Sequence, residues 1–234
     1  TLLILCATAP FSAIVPDYQR PPIITAADVP ASARPVNATF GGQMRLLAYE
    51  IHTRETRPGG YVEVGLYWQA VAPMAEDYSI AIHLFGRDRQ PLGQIDSYPG
   101  GGSYPTSLWS PGEVMYDVYR VPVHADARAP VAARIEVDLY RLATFETLPA
   151  VDGAGREVNP VSLGRVKVAG SAPPTTPTNP LSANLGGWVH LAGYDLSANT
   201  ARPGDEVEVT LHWRVTGLLE EDLTVFLQLL DANG

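Results

Sequence analysis

Short runs of alternating apolar and polar residues recur along the chain and predict β-strands. Residues 61–70, YVEVGLYWQA, place four apolar side chains on one face: Val62, Val64, Leu66 and Trp68. Glu63 and Tyr67 fall on the other face, and a period of two with one apolar face is the pattern of a half-buried strand. Similar runs, separated by turn signals, are MRLLAYEI, YSIAIHLFG, PLGQIDSY, EVMYDVYRVPV, ARIEVDLYRL and VSLGRVKV. They predict an all-β fold, an antiparallel β-sandwich of the Ig-like or carbohydrate-module-like type.

The chain contains an internal repeat with an offset of 145 residues. Residues 41–89 align without a gap with residues 186–234. Both copies carry the turn RPG, then the strand pattern VEV, then a tryptophan, which is Trp68 in the first copy and Trp213 in the second. A repeated pattern of this kind predicts two copies of one structural module.

The repeat and the composition between its copies predict the domain boundaries. We expect a first β-sandwich domain at residues 37–168 and a Pro/Thr-rich linker of extended type at residues 169–183. A second β-sandwich domain is expected at residues 184–234. The chain stops at the turn-like LLDANG, so we expect this second domain to be incomplete, with about three strands.

The first fifteen residues, TLLILCATAPFSAIV, carry no charge. They are fewer than the roughly 20 that cross a bilayer. Three interpretations stay open: the end of a transmembrane helix that begins before Thr1, a signal-peptide or lipid-anchor segment, and an ordinary buried segment. The expectation we carry forward is the end of a transmembrane helix at residues 1–16, followed by a Pro-rich junction at residues 17–36.

Composition excludes several function classes. The net charge is −9 and Lys167 is the only lysine, so the chain lacks the basic patch that nucleic-acid binding requires. Cys6 is the only cysteine, which rules out an intrachain disulfide and a cysteine-based zinc site.

One loop has an unusual composition: residues 100–113, GGGSYPTSLWSPGE, between two predicted strands. It is not a phosphate-binding loop, because no Gly-Lys-Ser/Thr follows and no helix offers its N-terminus. In one interpretation, Tyr104 and Trp109 fold back as a lid over the edge of the sandwich. In the other, they stack on a sugar whose hydroxyls bind nearby polar side chains: Asp96, Ser103, Thr106 or Glu113. The candidate sugar-binding residues are therefore Tyr104, Trp109, Asp96 and Glu113.

No catalytic signature is present. The five histidines have no metal-ligand spacing, and neither a GxSxG motif nor a Ser-His-Asp set occurs. Acids such as Glu76 and Asp77 lie in predicted turns, where they are usually solvated or cap the turn. A calcium site made from loop acids is an alternative that stays open. We predict no catalytic residue, no metal ligand and no cofactor.

Five segments carry a family resemblance: GGQMRLLAYE, RPGGYVEVGLYWQA, DYSIAIHLFGRD, GGGSYPTSLWSPGEVMYDVYRVPV and IEVDLYRLATFETLP. They resemble modules at the C-terminal end of large bacterial membrane proteins similar to the dolichyl-phosphate-mannose–protein mannosyltransferase superfamily of polytopic glycosyltransferases. The resemblance implies β-sandwich domains outside the membrane, after a last transmembrane helix. The catalytic residues of that family lie in membrane-side loops near the start of the protein, so none is carried over here. The chain departs from the family at DARAPVAA, where Pro-Gly-Tyr is usual.

The resemblance leads to an expected function. We expect a non-catalytic, extracytoplasmic accessory module at the cell membrane, which packs on the membrane part or holds a glycan or lipid-linked sugar near it. A dedicated carbohydrate-binding module is one alternative, and it predicts exposed, coplanar aromatic rings. A structural spacer or adhesion-type module is another, and it predicts that those rings are buried. An independent enzyme domain would need a clustered acid pair or a metal site.

Overall fold

The chain divides into two compact units, Thr1–Ser171 and Ala172–Gly234. The structure, a computed structural model, describes residues 20–170, 176–217 and 223–230. Among these residues the regular structure is β-strand, apart from three single-turn 3-10 helices at Ala26–Asp28, Arg87–Arg89 and Thr106–Leu108. The predicted all-β class is confirmed.

The first unit contains two β-sheets. Its strands are β1 (Ile23–Ile24), β2 (Arg34–Phe40), β3 (Met44–Ile51), β4 (Glu55–Thr56), β5 (Tyr61–Ala70), β6 (Tyr78–Phe85), β7 (Pro91–Ser97), β8 (Val114–Pro122), β9 (Val131–Arg141), β10 (Ala150–Val151) and β11 (Val161–Val168). The six-stranded sheet has the order β1-β8-β5-β3-β2-β10, and the five-stranded sheet has the order β4-β11-β9-β6-β7. All neighbouring strands are antiparallel except β4 and β11. The seven strands predicted from alternation are all present, and β2 and three two-residue strands add to them.

The hydrophobic core of the first unit lies between the two sheets. Leu46 and Trp68 contribute to it from the six-stranded sheet, and Ile82 and Val137 from the five-stranded sheet, all without solvent exposure. The core residues occupy alternate positions along their strands, which is why one face of each sheet enters the core. The predicted inward face of β5 is confirmed.

A second, smaller cluster covers the other face of the six-stranded sheet. It consists of Ala33, Ala48 and Tyr67, with Tyr116 packed beside them, and the Tyr67 and Tyr116 rings stack at 4.6 Å. Ala33 belongs to residues 17–36, which sequence analysis treats as an extended junction. That segment also supplies β1 and the start of β2, because its few apolar residues cover this sheet.

The second unit contains one three-stranded antiparallel sheet in the order β12 (Asn179–Leu185), β13 (Val189–Leu196) and β14 (Val209–Val215). Strand β12 occupies part of the predicted linker. The bounds of β12 and β13 are those of β2 and β3 displaced by 145 residues, so the structural repeat begins earlier than residue 186. Trp213 is 37% exposed, whereas its counterpart Trp68 is fully buried.

The predicted transmembrane segment, residues 1–16, lies outside the described residues. Within residues 20–170, 176–217 and 223–230, no helix has the length and apolar character needed to cross a membrane.

Candidate functional site

The Gly100–Glu113 loop connects β7 to β8 and is anchored to the core at its first residue. Gly100, Gly101 and Gly102 all have positive φ, which lets the chain turn sharply after β7. The Gly100 N–H donates to Asp117 Oδ2 at 2.8 Å, and the Ser103 hydroxyl donates to the Gly100 carbonyl at 2.6 Å. The glycine run therefore builds a compact turn.

The two aromatic side chains of this loop are buried. Tyr104 is 1% exposed and Trp109 is 4% exposed, and their rings stack at a centroid distance of 6.1 Å. The Trp109 indole N–H donates to the Tyr104 carbonyl at 3.2 Å. The Arg20 guanidinium covers the Tyr104 ring at 4.2 Å from its centroid. These rings form a lid over the core, and they do not present the exposed faces on which a sugar stacks.

The polar side chains of the loop form hydrogen bonds with other groups of the protein. The Tyr104 hydroxyl lies 3.1 Å and 3.2 Å from the two carboxylate oxygens of Glu113 and accepts a bond from Arg20. Glu113 also accepts the Ser110 N–H at 2.9 Å. Burial, followed by the hydrogen bond to Glu113, raises the pKa of Tyr104. Thr106 is fully buried and accepts the Tyr78 N–H at 3.0 Å. Each of these contacts holds the loop in place.

The buried carboxylate of Asp117 binds the first residue of this loop. Asp117 lies on β8, is 6% exposed, and accepts the Tyr119 hydroxyl at 2.5 Å in addition to the Gly100 N–H. Burial raises the pKa of Asp117, and the hydrogen bonds from Tyr119, Gly100 and Val118 oppose that change. Asp117 thus links the turn to the strand that follows it.

Asp96 is not part of this loop cluster. It lies on β7, exposed, on the outer face of the five-stranded sheet. The register places Asp96 and Asp138 on either side of Ala81 in the neighbouring strand β6. The structure therefore brings Tyr104, Trp109 and Glu113 together and places Asp96 with other residues.

Tyr140 joins the outer strands of this face. Tyr140 lies on β9 beside Ser79, and its side chain interacts electrostatically with both Ser79 and Asp96. Because Asp96 lies on β7, beyond β6, the Tyr140 side chain crosses the central strand. This explains why Ser79 and Ala81 are only 3% and 2% exposed although they face outward. Burial raises the pKa of Tyr140.

Phe145 extends the aromatic surface of Tyr140. The two rings are nearly parallel, with an interplanar angle of 13° and centroids 6.0 Å apart. Phe145 is 74% exposed and lies in the turn of the hairpin that follows β9, where its N–H donates to the Arg141 carbonyl at 2.7 Å. One aromatic ring of this face is therefore open to solvent.

An ion pair lies at the other end of the outer face of the five-stranded sheet. Arg89 makes two bonds to Glu136, at 3.0 Å and 3.3 Å, and its guanidinium lies 4.4 Å above the Phe85 ring. Glu136 is 3% exposed, so it needs this partner. His83 lies between Gln94 and Glu136 in register.

We name the residues Ser79, Ala81, His83, Gln94, Asp96, Asp138, Tyr140 and Phe145 the outer-face cluster. Of these, only Asp96 is a residue that sequence analysis selects. Alternation in ARIEVDLYRL already places Glu136, Asp138 and Tyr140 on one face of a strand. The order β7-β6-β9, which brings them beside Asp96, is a property of the fold.

Metal binding and similarity to known proteins add no further assignment. Among the described ranges, 20–170, 176–217 and 223–230, no group of three or more His, Cys, Asp or Glu side chains is arranged to hold a metal ion. A scan against protein-family models finds no match to the chain, and a search of curated proteins finds none either.

Proposed function

We propose that the chain forms non-catalytic, extracytoplasmic β-sandwich modules that accompany a membrane glycosyltransferase-like protein. In this proposal the modules are tandem Ig-like sandwiches tethered to a membrane helix, and they hold a glycan or lipid-linked sugar near the membrane part or pack on it. The proposal rests on the resemblance described above and on how the structure uses its polar side chains.

One observation carries the non-catalytic assignment. Tyr104, Thr106 and Glu113 of the Gly100–Glu113 loop form hydrogen bonds within the loop or with other parts of the first unit. Tyr104 pairs with Glu113 and Arg20, and Thr106 pairs with the backbone of Glu76 and Tyr78. A side chain with these partners anchors the loop and does not meet a substrate.

The repeat supports a modular role. Strands β12 and β13 have the register of β2 and β3, including the same irregularity, which falls after Pro35 and after Pro180. Two copies of one β-module in series are typical of proteins in which the module is a spacer or a presenting scaffold. Because such modules host unrelated functions, the fold itself does not choose between these roles.

Two narrower functions are each favoured by one observation. The burial of Tyr104 and Trp109 favours a structural spacer, which predicts buried loop aromatics. The exposed ring of Phe145, stacked on Tyr140, favours a module that also binds carbohydrate.

Thiol labelling in intact cells that produce the protein tests the proposed location. Leu108 is 57% exposed, so Leu108→Cys offers an accessible thiol in the first unit, in a background with Cys6→Ser. A membrane-impermeant maleimide is expected to label this variant in intact cells, and the label is expected in the membrane fraction. Labelling that appears only after the cells are lysed would contradict an extracytoplasmic module.

A further inference from the structure

The outer face of the five-stranded sheet has an arrangement of aromatic and polar side chains that its fold does not require. Its central strand carries the small residues Ser79 and Ala81, and the strands beside it carry Asp96, Asp138 and Tyr140. With strands about 4.8 Å apart, the Cα atoms of Asp96 and Asp138 are about 10 Å apart across Ala81. The two carboxylates therefore lie on either side of Ala81, which is itself covered.

The backbone conformation and the exposure of Phe145 are both unfavourable for a phenylalanine. Its φ is +58°, a left-handed conformation that costs a residue with a Cβ about 1–2 kcal/mol and that hairpin turns usually give to glycine or asparagine. It also leaves a large apolar ring in water. Both features are unfavourable for folding, so the exposed side of the ring is better explained by what it can contact.

The stack with Tyr140 orients this ring. The Tyr140 side chain interacts electrostatically with Ser79 and Asp96, and the Phe145 ring lies at 13° to the Tyr140 ring. A pre-oriented aromatic surface offers a flat apolar contact at low cost in conformational entropy. The Asp96 carboxylate, which accepts the Gln94 side-chain amide at 3.1 Å, is exposed.

Asp138 supplies a second acceptor. Burial raises the pKa of Asp138, and the charge of His83 opposes this. A half-buried carboxylate is stabilised by a hydrogen-bond donor, which a ligand can supply. Two carboxylates on one face, in a chain with a net charge of −9, also disfavour an anionic ligand.

We propose that the outer-face cluster binds a neutral pyranose, whose apolar C–H face stacks on Phe145 and whose hydroxyl groups donate hydrogen bonds to Asp96 and Asp138. A pyranose carries both an apolar face and a rim of hydroxyl donors, which is the complement of this surface. The inference rests on the proposed function, since it gives the glycan-holding role a site.

Calorimetric and NMR titration of the whole chain tests the inference with three probes: cellohexaose, β-1,4-mannohexaose and a hexamer of galacturonic acid. Saturable binding of at least one neutral hexasaccharide is expected, with little or no binding of the acidic hexamer. Phe145→Ala and Asp96→Asn are each expected to weaken the binding at least tenfold. Phe145→Gly is expected to weaken it equally while leaving the unfolding midpoint unchanged or higher, because glycine adopts this φ without strain.

Leu142→Ala is the matched control, because Leu142 is an exposed apolar residue in the same hairpin and is not stacked on Tyr140. It is expected to keep the affinity of the wild type. The inference is overturned if neither neutral hexasaccharide binds, if the acidic hexamer binds best, or if Phe145→Ala binds as well as Leu142→Ala. A failure here leaves the maleimide labelling of Leu108→Cys unaffected, so the location and the ligand are tested separately.

Discussion

Tyr67 donates its hydroxyl hydrogen to Glu50 Oε2 at 2.8 Å, across the pair of strands β3 and β5. At the equivalent positions of the second unit, 145 residues later, Asp195 and His212 form the same cross-strand contact at 2.6 Å. The residue types differ in both places, so the aligned sequences show no identity here. The repeat therefore preserves a contact between a carboxylate and a polar ring on the neighbouring strand.

The Asp195–His212 contact is expected to stabilise the second unit in a pH-dependent way. The Thr178 N–H, and then His212, lower the pKa of Asp195 to about 2. A lowered pKa contributes stability that is present above the ordinary value of 3.8 and is lost as the pH falls through about 2. Asp195→Asn should therefore speed amide hydrogen exchange in β13 and β14 at neutral pH.

The matched control for this variant is Glu206→Gln, which alters an exposed acid of the same unit. It should leave exchange in β13 and β14 unchanged. Equal exchange in the wild type and Asp195→Asn at neutral pH would show that the contact does not stabilise the sheet.

Trp68 and Trp213 occupy equivalent positions and differ in burial, so their replacement should differ in cost. Trp68 is fully buried against Phe40, and Trp68→Ala is expected to lower the free energy of unfolding of the first unit by about 3–5 kcal/mol. Trp213 is 37% exposed, so Trp213→Ala should cost the second unit clearly less. Urea unfolding followed by NMR in each unit measures both, and equal costs would contradict the difference in packing.

Gly100 should tolerate a side chain less well than Gly101. Both have positive φ, so alanine at either position is strained by roughly 1–2 kcal/mol. A Cβ at Gly100 would also lie 2.7 Å from Pro21 and 2.8 Å from the Ser103 hydroxyl, whereas one at Gly101 meets nothing within 4 Å. The unfolding midpoint of Gly100→Ala should be the lower of the two. The reverse order would show that the turn is not packed as described.

Because of Asp117, the free energy of unfolding of the first unit should fall as the pH rises. Burial raises its pKa in the folded state above the ordinary value of 3.8. The folded state therefore holds the proton more tightly, and the associated stability is complete below 3.8 and is lost as the pH rises through the folded pKa. The free energy of unfolding of the wild type relative to Asp117→Asn should fall as the pH rises above 3.8. A flat or rising difference would contradict the buried carboxylate.

Much of the fold follows from local pattern, because a period of two with one apolar face specifies both a strand and its inward side. Strand β2 is not predicted by this pattern. Pro35 cannot donate to the ladder, and Asn37 has a φ of +55° at the irregularity in its pairing, so the alternation is interrupted there. The shared spacing of Pro35 and Ala38 with Pro180 and Ala183 is the signal that reveals it.

The candidate site is less accessible to sequence reasoning. Tyr104 and Trp109 lie in a loop rich in glycine and proline, and nothing local distinguishes a lid from an exposed platform. Asp96 and Tyr140 are far apart in the chain, and they meet because β6 lies between β7 and β9. The order of the strands in the sheet brings the two residues together, and the local sequence of neither strand indicates that order.

The most direct test of the account compares Trp109→Ala with Phe145→Ala in one experiment, with unfolding midpoint and hexasaccharide affinity measured for each. The account predicts opposite effects. Trp109→Ala should lower the midpoint and leave the affinity of the folded protein unchanged, whereas Phe145→Ala should lose the affinity and keep the midpoint. If Trp109→Ala abolishes binding without loss of stability, the Gly100–Glu113 loop is the sugar platform and the assignment of the two aromatic clusters is wrong.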